Sequence, residues 1–136
     1  MGVAHPLSVI GSSGAGYSML PLVPQGDLPH PRSFGAFPRF LKKYVVEKKL
    51  LSWEQAIAKA TGTPARLFGI VNRGILKEGN SADIVVFDPR TISDAATFQN
   101  PYQYSNGVES VFVNGITAYE KKGFTNVFSG KVIRFL

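Results

Sequence analysis

Residues whose side chains could perform chemistry are few and scattered in this chain. It has two histidines, His5 and His30, and no cysteine, which excludes disulfides and thiolate metal sites. The two histidines form no His-x-His pair, and a catalytic zinc site usually needs about three converging protein ligands. We therefore expect this chain alone to bind no metal, and His5, just before a predicted strand, to be structural or exposed.

Three other patterns could suggest catalysis, and each is weak. The segment 11–16 is rich in glycine, but it lacks both the ending of a P-loop and the spacing of a dinucleotide fingerprint. Ser12 is not part of a Gly-x-Ser-x-Gly elbow, so a nucleophile paired with histidine is not indicated. Asp83 and Asp88 are five residues apart and lie on opposite faces of a strand, which favours turn or edge roles over paired acid–base chemistry.

The charge balance of +6, from 15 basic against 9 acidic residues, leaves nucleic-acid binding a minor hypothesis. The lysines occur as scattered pairs without the interleaved aromatic residues that stack on bases, and we interpret the pairs as solvated faces. No stretch reaches the roughly 20 apolar residues that span a membrane, and no secretory signal is evident. A cytoplasmic location is expected.

In the first half of the sequence, a strand and a proline-rich loop precede helices. Leu7–Ile10 is predicted to be a buried strand that opens into the glycine-rich segment. Four prolines between Tyr17 and Pro31 deny that loop regular hydrogen bonds. A helix with Pro38 in its first turn is then predicted from an apolar face that comprises Phe37, Phe40, Leu41, Tyr44 and Val45.

Two further helices are predicted by their capping residues. Ser52 and Gln55 form a capping box, and the helix that follows turns Trp53, Ala56, Ile57 and Ala60 inward. It should end at Thr61-Gly62, with the glycine in the left-handed conformation. A short third helix should have Thr63 as N-cap, Pro64 at its first position and Gly69 at its end.

After Gly69 the apolar period changes to two, which is typical of strands. Ala82–Asp88 is strongly β-prone, and residues 108–113 and 116–119 form a hairpin around Asn114-Gly115, the sequence that a type I′ turn requires. Residues 131–136 could form a last strand. One strand, then helices, then antiparallel strands define an α+β fold.

Several stretches together resemble one family. The segment 74–88 and the hairpin around Asn114-Gly115 resemble the re-entry of amidohydrolase-superfamily chains into their small β-sandwich. His30-Pro31-Arg32-Ser33-Phe34-Gly35-Ala36-Phe37-Pro38-Arg39 is similar to a segment of N-acyl-D-amino-acid deacylases. Residues 5–14 resemble the last barrel strand of those enzymes. The resemblance runs from about His5 to Arg134 in unbroken order.

The resemblance implies a zinc-dependent (β/α)₈ barrel that hydrolyses N-acyl-D-amino acids to a carboxylate and a D-amino acid. It gives Arg32 the role of holding the substrate carboxylate, for which a planar guanidinium is apt, and His30 the role of shaping that loop. Ser13 stands where the family has an aspartate that carries the proton. A hydroxyl cannot store a proton as a carboxylate does, so we expect that function to be lost.

The resemblance also divides the chain. Residues 1–70 would be the C-terminal end of the barrel, and residues 71–136 strands of the β-sandwich. Because the family's earlier barrel strands have no counterpart here, we expect a fragment that is inactive alone and that either pairs with a separate barrel chain or self-associates. The alternative is a non-catalytic scaffold or partner-binding remnant of the same fold.

Overall fold

The computed structural model describes residues 2–17, 19, 28–121 and 123–134, in which helices precede a small sheet. After a short 3-10 turn at Gly2–Ala4, the elements are, in chain order, α1 (Arg32–Leu41), α2 (Trp53–Ala60), α3 (Gly62–Leu67), β1 (Ile84–Phe87), β2 (Val108–Val113), β3 (Ile116–Glu120) and β4 (Gly123–Phe124). The predicted α+β class is confirmed. Most of the predicted proline-rich loop lies outside the described residues.

Helix α1 begins earlier than its apolar pattern predicts. It starts at Arg32, directly after Pro31, and continues beyond Leu41 as a π-helical turn over Lys42–Glu47. Phe40, Leu41 and Val45 are buried as predicted, whereas Phe37 is 39% exposed. The prediction that Pro38 belongs to the first turn is wrong, because the helix forms its first turns around residues 31–35 instead.

Pro38 therefore lies inside α1, where its missing N–H leaves the carbonyl of Phe34 without a helical donor. The hydroxyl of Ser105 donates a hydrogen bond of 3.1 Å to that carbonyl. A side chain far away in sequence thus satisfies the acceptor that the proline leaves free. The same bond ties α1 to the connection between β1 and β2.

The capping box of α2 is confirmed, while the boundary to α3 differs from the prediction. The Ser52 hydroxyl accepts from the Gln55 N–H at 3.2 Å, and the Gln55 side chain accepts from the Ser52 N–H at 2.9 Å. Thr61, not Thr63, is the residue before α3, and Gly62 is helical. The end at Gly69 is confirmed: its φ is +65°, and Ile70 N–H bonds back to the Ala65 carbonyl at 2.8 Å.

Within the described residues, the strands form one antiparallel sheet in the order β1-β2-β3-β4. The predicted hairpin is confirmed, with φ angles of +49° at Asn114 and +81° at Gly115, as a type I′ turn requires. β4, a two-residue strand that pairs with the end of β3, was not predicted, because its run is too short to show a period.

Two predicted strands do not form. At the first, Leu7–Ile10, the N–H of Ile10 donates to the carbonyl of Lys59 in α2 at 3.0 Å, so a helix and not a neighbouring strand accepts its hydrogen bond. A strand needs a ladder partner, and this segment has none among the described residues. Residues 131–134 likewise lie exposed outside the sheet, and residues 135–136 lie outside the described part.

The main hydrophobic cluster among the described residues lies on the helical side and includes Ile92 from the β1–β2 connection, residues 88–107. Ile92 is 3% exposed and packs with Phe40, Leu41, Val45, Leu51 and Ala56. The connection closes at Gly107, whose φ is +78° and where a Cβ would lie 2.6 Å from the Ile92 nitrogen. Only glycine therefore lets the connection return to β2 so close to its own start.

Candidate carboxylate-binding site

The start of α1 is fixed by the histidine that precedes it. His30 Nδ1 accepts a hydrogen bond of 3.0 Å from the Arg32 N–H, and the His30 carbonyl accepts from the Ser33 N–H at 3.0 Å. His30 thereby satisfies donors that a helix start leaves unpaired. The His5-Pro6-Leu7 segment has the same arrangement, with Nδ1 of His5 accepting from the Leu7 N–H at 3.2 Å.

Arg32 borders a cavity of about 410 Å³ between α1 and the β1–β2 connection. On the helix side, its charged lining residues are Arg32 and Arg39, and on the connection side Asp94. Arg39 Nη1 donates to Asp94 Oδ2 at 2.9 Å. Two guanidinium groups and one carboxylate give the lining a net positive charge, which suits a monoanionic ligand.

The opposite wall of this cavity also contacts the histidine. Phe98 meets the His30 ring edge-on, with ring centroids 4.9 Å apart. Gly35 faces Asp94 so closely that a Cβ on the glycine would lie 2.6 Å from the Asp94 Cβ. The connection thus packs against the helix face that presents Arg32, through an aromatic contact at one end and a backbone contact in the middle.

The structure brings His30 and Arg32 to one cavity but leaves Ser13 outside it. Ser13 is exposed, in a segment where the Ser12 hydroxyl accepts from the Gly14 N–H at 3.0 Å. That segment lies against the first turn of α1, because the Ala15 N–H donates to the Ser33 hydroxyl at 3.3 Å. Gly14 is close enough that a Cβ there would lie 3.2 Å from the Arg32 carbonyl.

A second cavity, of about 320 Å³, lies on the other side of the first turns of α1. The glycine-rich segment forms one wall, and aromatic side chains dominate the remainder, among them Tyr17, Phe34, Tyr104, Tyr119 and Phe124. Phe34 lines this cavity, and its ring centroid lies 5.8 Å from that of Tyr17 and 5.3 Å from that of Tyr102. The helix start therefore has a charged cavity on one side and an apolar one on the other.

Asp94 and Phe98 were not predicted as site residues, because only the folded chain brings them close to Arg32. Asp94 is 55 positions from Arg39, and a separation of that length leaves no periodic trace in the sequence. Arg39 could have been found, since it lies seven residues after Arg32 on a helix, where such spacing shares a face.

The two aspartates that flank β1 have the turn and edge roles expected of them. Asp83 pairs with Arg73 and accepts from the Asn114 N–H at 2.8 Å. Asp88 opens the β1–β2 connection, and hydrogen bonds from the Arg90 side chain and then from its backbone N–H lower the pKa of Asp88. Each carboxylate is thus occupied by a neighbouring arginine.

The described residues do not fit the zinc that the resemblance implies. Nowhere among them do three His, Asp or Glu side chains gather closely enough to share a metal ion. The Nδ1 atoms of both histidines already accept backbone hydrogen bonds. The described residues therefore offer a metal ion no converging set of ligands.

Comparisons with known proteins identify the family of this chain. Residues 28–119 match the amidohydrolase family. The D-aminoacylase of Alcaligenes xylosoxydans xylosoxydans is 40% identical over 93% of this chain and 24% of its own length. The N-acyl-D-aspartate deacylase of the same organism is 46% identical over 82% of this chain and 21% of its own length.

A solved structure gives the same answer. The N-acyl-D-glutamate deacylase of Bordetella bronchiseptica, in complex with zinc and a phosphonate inhibitor that mimics the tetrahedral intermediate, is 47% identical. It superposes with a TM-score of 0.66 over 68% of this chain and 20% of its own. This chain belongs to the amidohydrolase family. It spans about a fifth to a quarter of the length of these relatives.

Among the described residues, no helix combines the length and apolar character needed to cross a bilayer. That result agrees with the sequence, in which no apolar run reaches such a length.

Proposed function

We propose that this chain is the C-terminal, substrate-recognising part of an N-acyl-D-amino-acid deacylase. In this proposal Arg32 binds the substrate carboxylate, and His30 holds the loop that presents it. The reaction is hydrolysis of the N-acyl amide to a carboxylate and a D-amino acid. Deacylation is the activity named for the Alcaligenes and Bordetella relatives.

The observation that carries the proposal is the position of Arg32 at the charged cavity. Its backbone N–H is fixed by His30, and the nearest carboxylate in the lining, that of Asp94, is bound by Arg39. A bidentate guanidinium–carboxylate pair is one of the stronger polar contacts a protein can offer. This arrangement supports carboxylate recognition by Arg32.

Ser13 indicates that the chain lacks the proton carrier of the proposed reaction. A carboxylate at this position would accept a proton from attacking water and deliver it to the leaving amine, which a serine hydroxyl does not do near pH 7. On this proposal the chain alone has little or no hydrolytic activity.

A further protein segment would supply the catalytic groups of the proposed reaction, whereas the carboxylate-binding residues lie in this chain. The relatives are about four times as long as the part this chain matches, and large apolar side chains are exposed near α3, among them Leu67, Val71 and Leu76 at 64%, 76% and 81%. Apolar exposure of this kind marks a contact surface. We propose that a barrel chain covers it, with self-association of this chain as the other outcome.

The test is a chimera in which residues 5–134 replace the matching part of the Alcaligenes D-aminoacylase. Release of D-amino acid is measured for the chimera as it stands and with Ser13→Asp. A restored general acid–base group should raise the rate by about 10²- to 10⁴-fold. Ser12→Asp, one residue away with the same charge change, is the matched control.

The second candidate function is a non-catalytic scaffold, and Ser13 is the observation that favours it. If Ser13→Asp is no more active than Ser12→Asp in a chimera that is folded and loaded with zinc, the scaffold becomes the better description. A further discriminating variant is Arg32→Gln, which should raise KM for an N-acyl-D-amino acid in an active chimera. An unchanged KM would remove Arg32 from substrate recognition.

A further inference from the structure

The charged cavity contains an acidic side chain that could compete with a carboxylate ligand. Asp94 lines the same cavity as Arg32, and its side chain is only 18% exposed. A carboxylate beside a guanidinium in a partly buried position forms an ion pair unless another cation holds it. Which arginine Asp94 contacts therefore decides whether Arg32 is open to a ligand.

The geometry of α1 places Asp94 between the two arginines. Gly35 lies one turn after Arg32 and one turn before Arg39, and the Asp94 Cβ packs directly against it. Because a side chain there would displace Asp94, the glycine lets the carboxylate lie close to the helix surface. From this position Asp94 contacts Arg39, at 2.9 Å.

We propose that Arg39 is a positioning residue that holds Asp94 away from Arg32 and so keeps the Arg32 guanidinium available for a carboxylate ligand. This inference rests on the proposed role of Arg32. It gives Arg39 a role that involves no contact with the ligand, because Arg39 pairs with the competing carboxylate of Asp94. The cavity then presents one available positive charge, which matches a ligand with a single carboxylate.

The experiment measures binding of N-acetyl-D-leucine, a monocarboxylate of the proposed class, to the 136-residue chain at low ionic strength. The response of the Arg32 Nε–Hε resonance in ¹⁵N NMR reports occupancy of the guanidinium. Four variants are compared with the unsubstituted chain: Arg39→Ala, Arg39→Ala with Asp94→Asn, Arg66→Ala and Arg32→Gln. Arg66 lies exposed in α3 away from both cavities, so Arg66→Ala controls for the loss of one positive charge.

Arg39→Ala should weaken binding roughly threefold to fivefold, the strength of a partly exposed ion pair now formed between Asp94 and Arg32. Adding Asp94→Asn should restore the affinity to within about twofold, because it removes the competitor and returns the net charge to its original value. If the Arg39–Asp94 pair served only to stabilise the fold, the double variant would bind the ligand as weakly as Arg39→Ala does.

The outcomes separate this inference from the function on which it rests. The proposed positioning role of Arg39 is wrong if Arg39→Ala weakens binding no more than Arg66→Ala does, or if adding Asp94→Asn fails to restore binding. Neither result contradicts the proposed role of Arg32 in carboxylate binding. If the unsubstituted chain shows no Arg32 response, or Arg32→Gln binds as well, the proposed carboxylate role is wrong and this inference falls with it.

Discussion

The helical part of the molecule, residues 32–67, and the sheet, residues 84–124, differ in the interactions that stabilise them. Five of the six residues in the main hydrophobic cluster, Phe40, Leu41, Val45, Leu51 and Ala56, belong to the helical part, whereas the strands of the sheet carry half-buried and exposed side chains. The sheet is held by antiparallel ladders, two of which shift register at a bulge or irregularity, and its four strands contain no buried side chain. Backbone pairing thus dominates in the sheet, and apolar burial dominates in the helical part.

The β1–β2 connection joins the two parts. Ile92 is the sixth residue of the main hydrophobic cluster, Ser105 satisfies the Phe34 carbonyl, and Asp94 and Phe98 line the charged cavity. A segment without regular secondary structure along most of its length therefore fixes the helix that carries Arg32. Substitutions in this connection should affect both stability and the candidate site.

The largest effect should come from Ile92→Ala, which removes a side chain buried against the helices. Deleting a fully buried isoleucine typically costs about 2–5 kcal/mol in the free energy of unfolding, and the cavity left behind adds to the lost transfer energy. Val85→Ala, at a 55% exposed position of β1, should cost within about 1 kcal/mol. Urea unfolding of both variants measures the comparison.

Equal losses for Ile92→Ala and Val85→Ala would contradict the separation of core from sheet. They would mean that Val85 is buried in solution, as self-association of this chain would do. The same pair of variants, measured as a function of protein concentration, then tests for that contact.

The second prediction concerns the proline inside α1. Ser105→Ala leaves the Phe34 carbonyl without a donor, which should cost about 1–2 kcal/mol in the free energy of unfolding. In a Pro38→Ala background the alanine N–H can bond the same carbonyl, so Ser105→Ala should cost within about 0.5 kcal/mol. Thermal unfolding of the four chains completes this double-mutant cycle, and additive losses would show that Ser105 does not substitute for the missing helical bond.

Local sequence rules predicted the elements whose cause is local. The capping box at Ser52 and Gln55 and the turn at Asn114-Gly115 depend on residues within three or four positions of one another. The start of α1 was missed because Pro38 is typical of a first turn, and the hydroxyl that lets it lie inside the helix belongs to Ser105. That compensation cannot be seen along the sequence.

The residues of the candidate site were likewise predictable only where they lie close together in the sequence. His30 and Arg32 lie two positions apart, and the family resemblance pointed to both, whereas Asp94 and Phe98 reach the site through a long connection. Leu7–Ile10 has the composition of a strand, but a ladder also needs a partner, and no local pattern supplies one. The division near residue 70 and the roles of Ser13, His30 and Arg32 stay predictions.

The smallest effect should come from the turn that opens the β1–β2 connection, and it should fade in acid. Arg90 lowers the pKa of Asp88 below its ordinary value of 3.8, through its side chain and then its backbone N–H. A carboxyl group whose pKa is lower in the folded state stabilises the fold above the unfolded-state pKa and loses that contribution as the pH falls through the folded-state pKa. Asp88→Asn should therefore lower stability at pH 7 and have progressively less effect below about pH 4. Urea midpoints across this range measure it, with Glu47→Gln as the exposed control, and a deficit that persists undiminished in acid would show that the asparagine disturbs the turn itself rather than removing the charge.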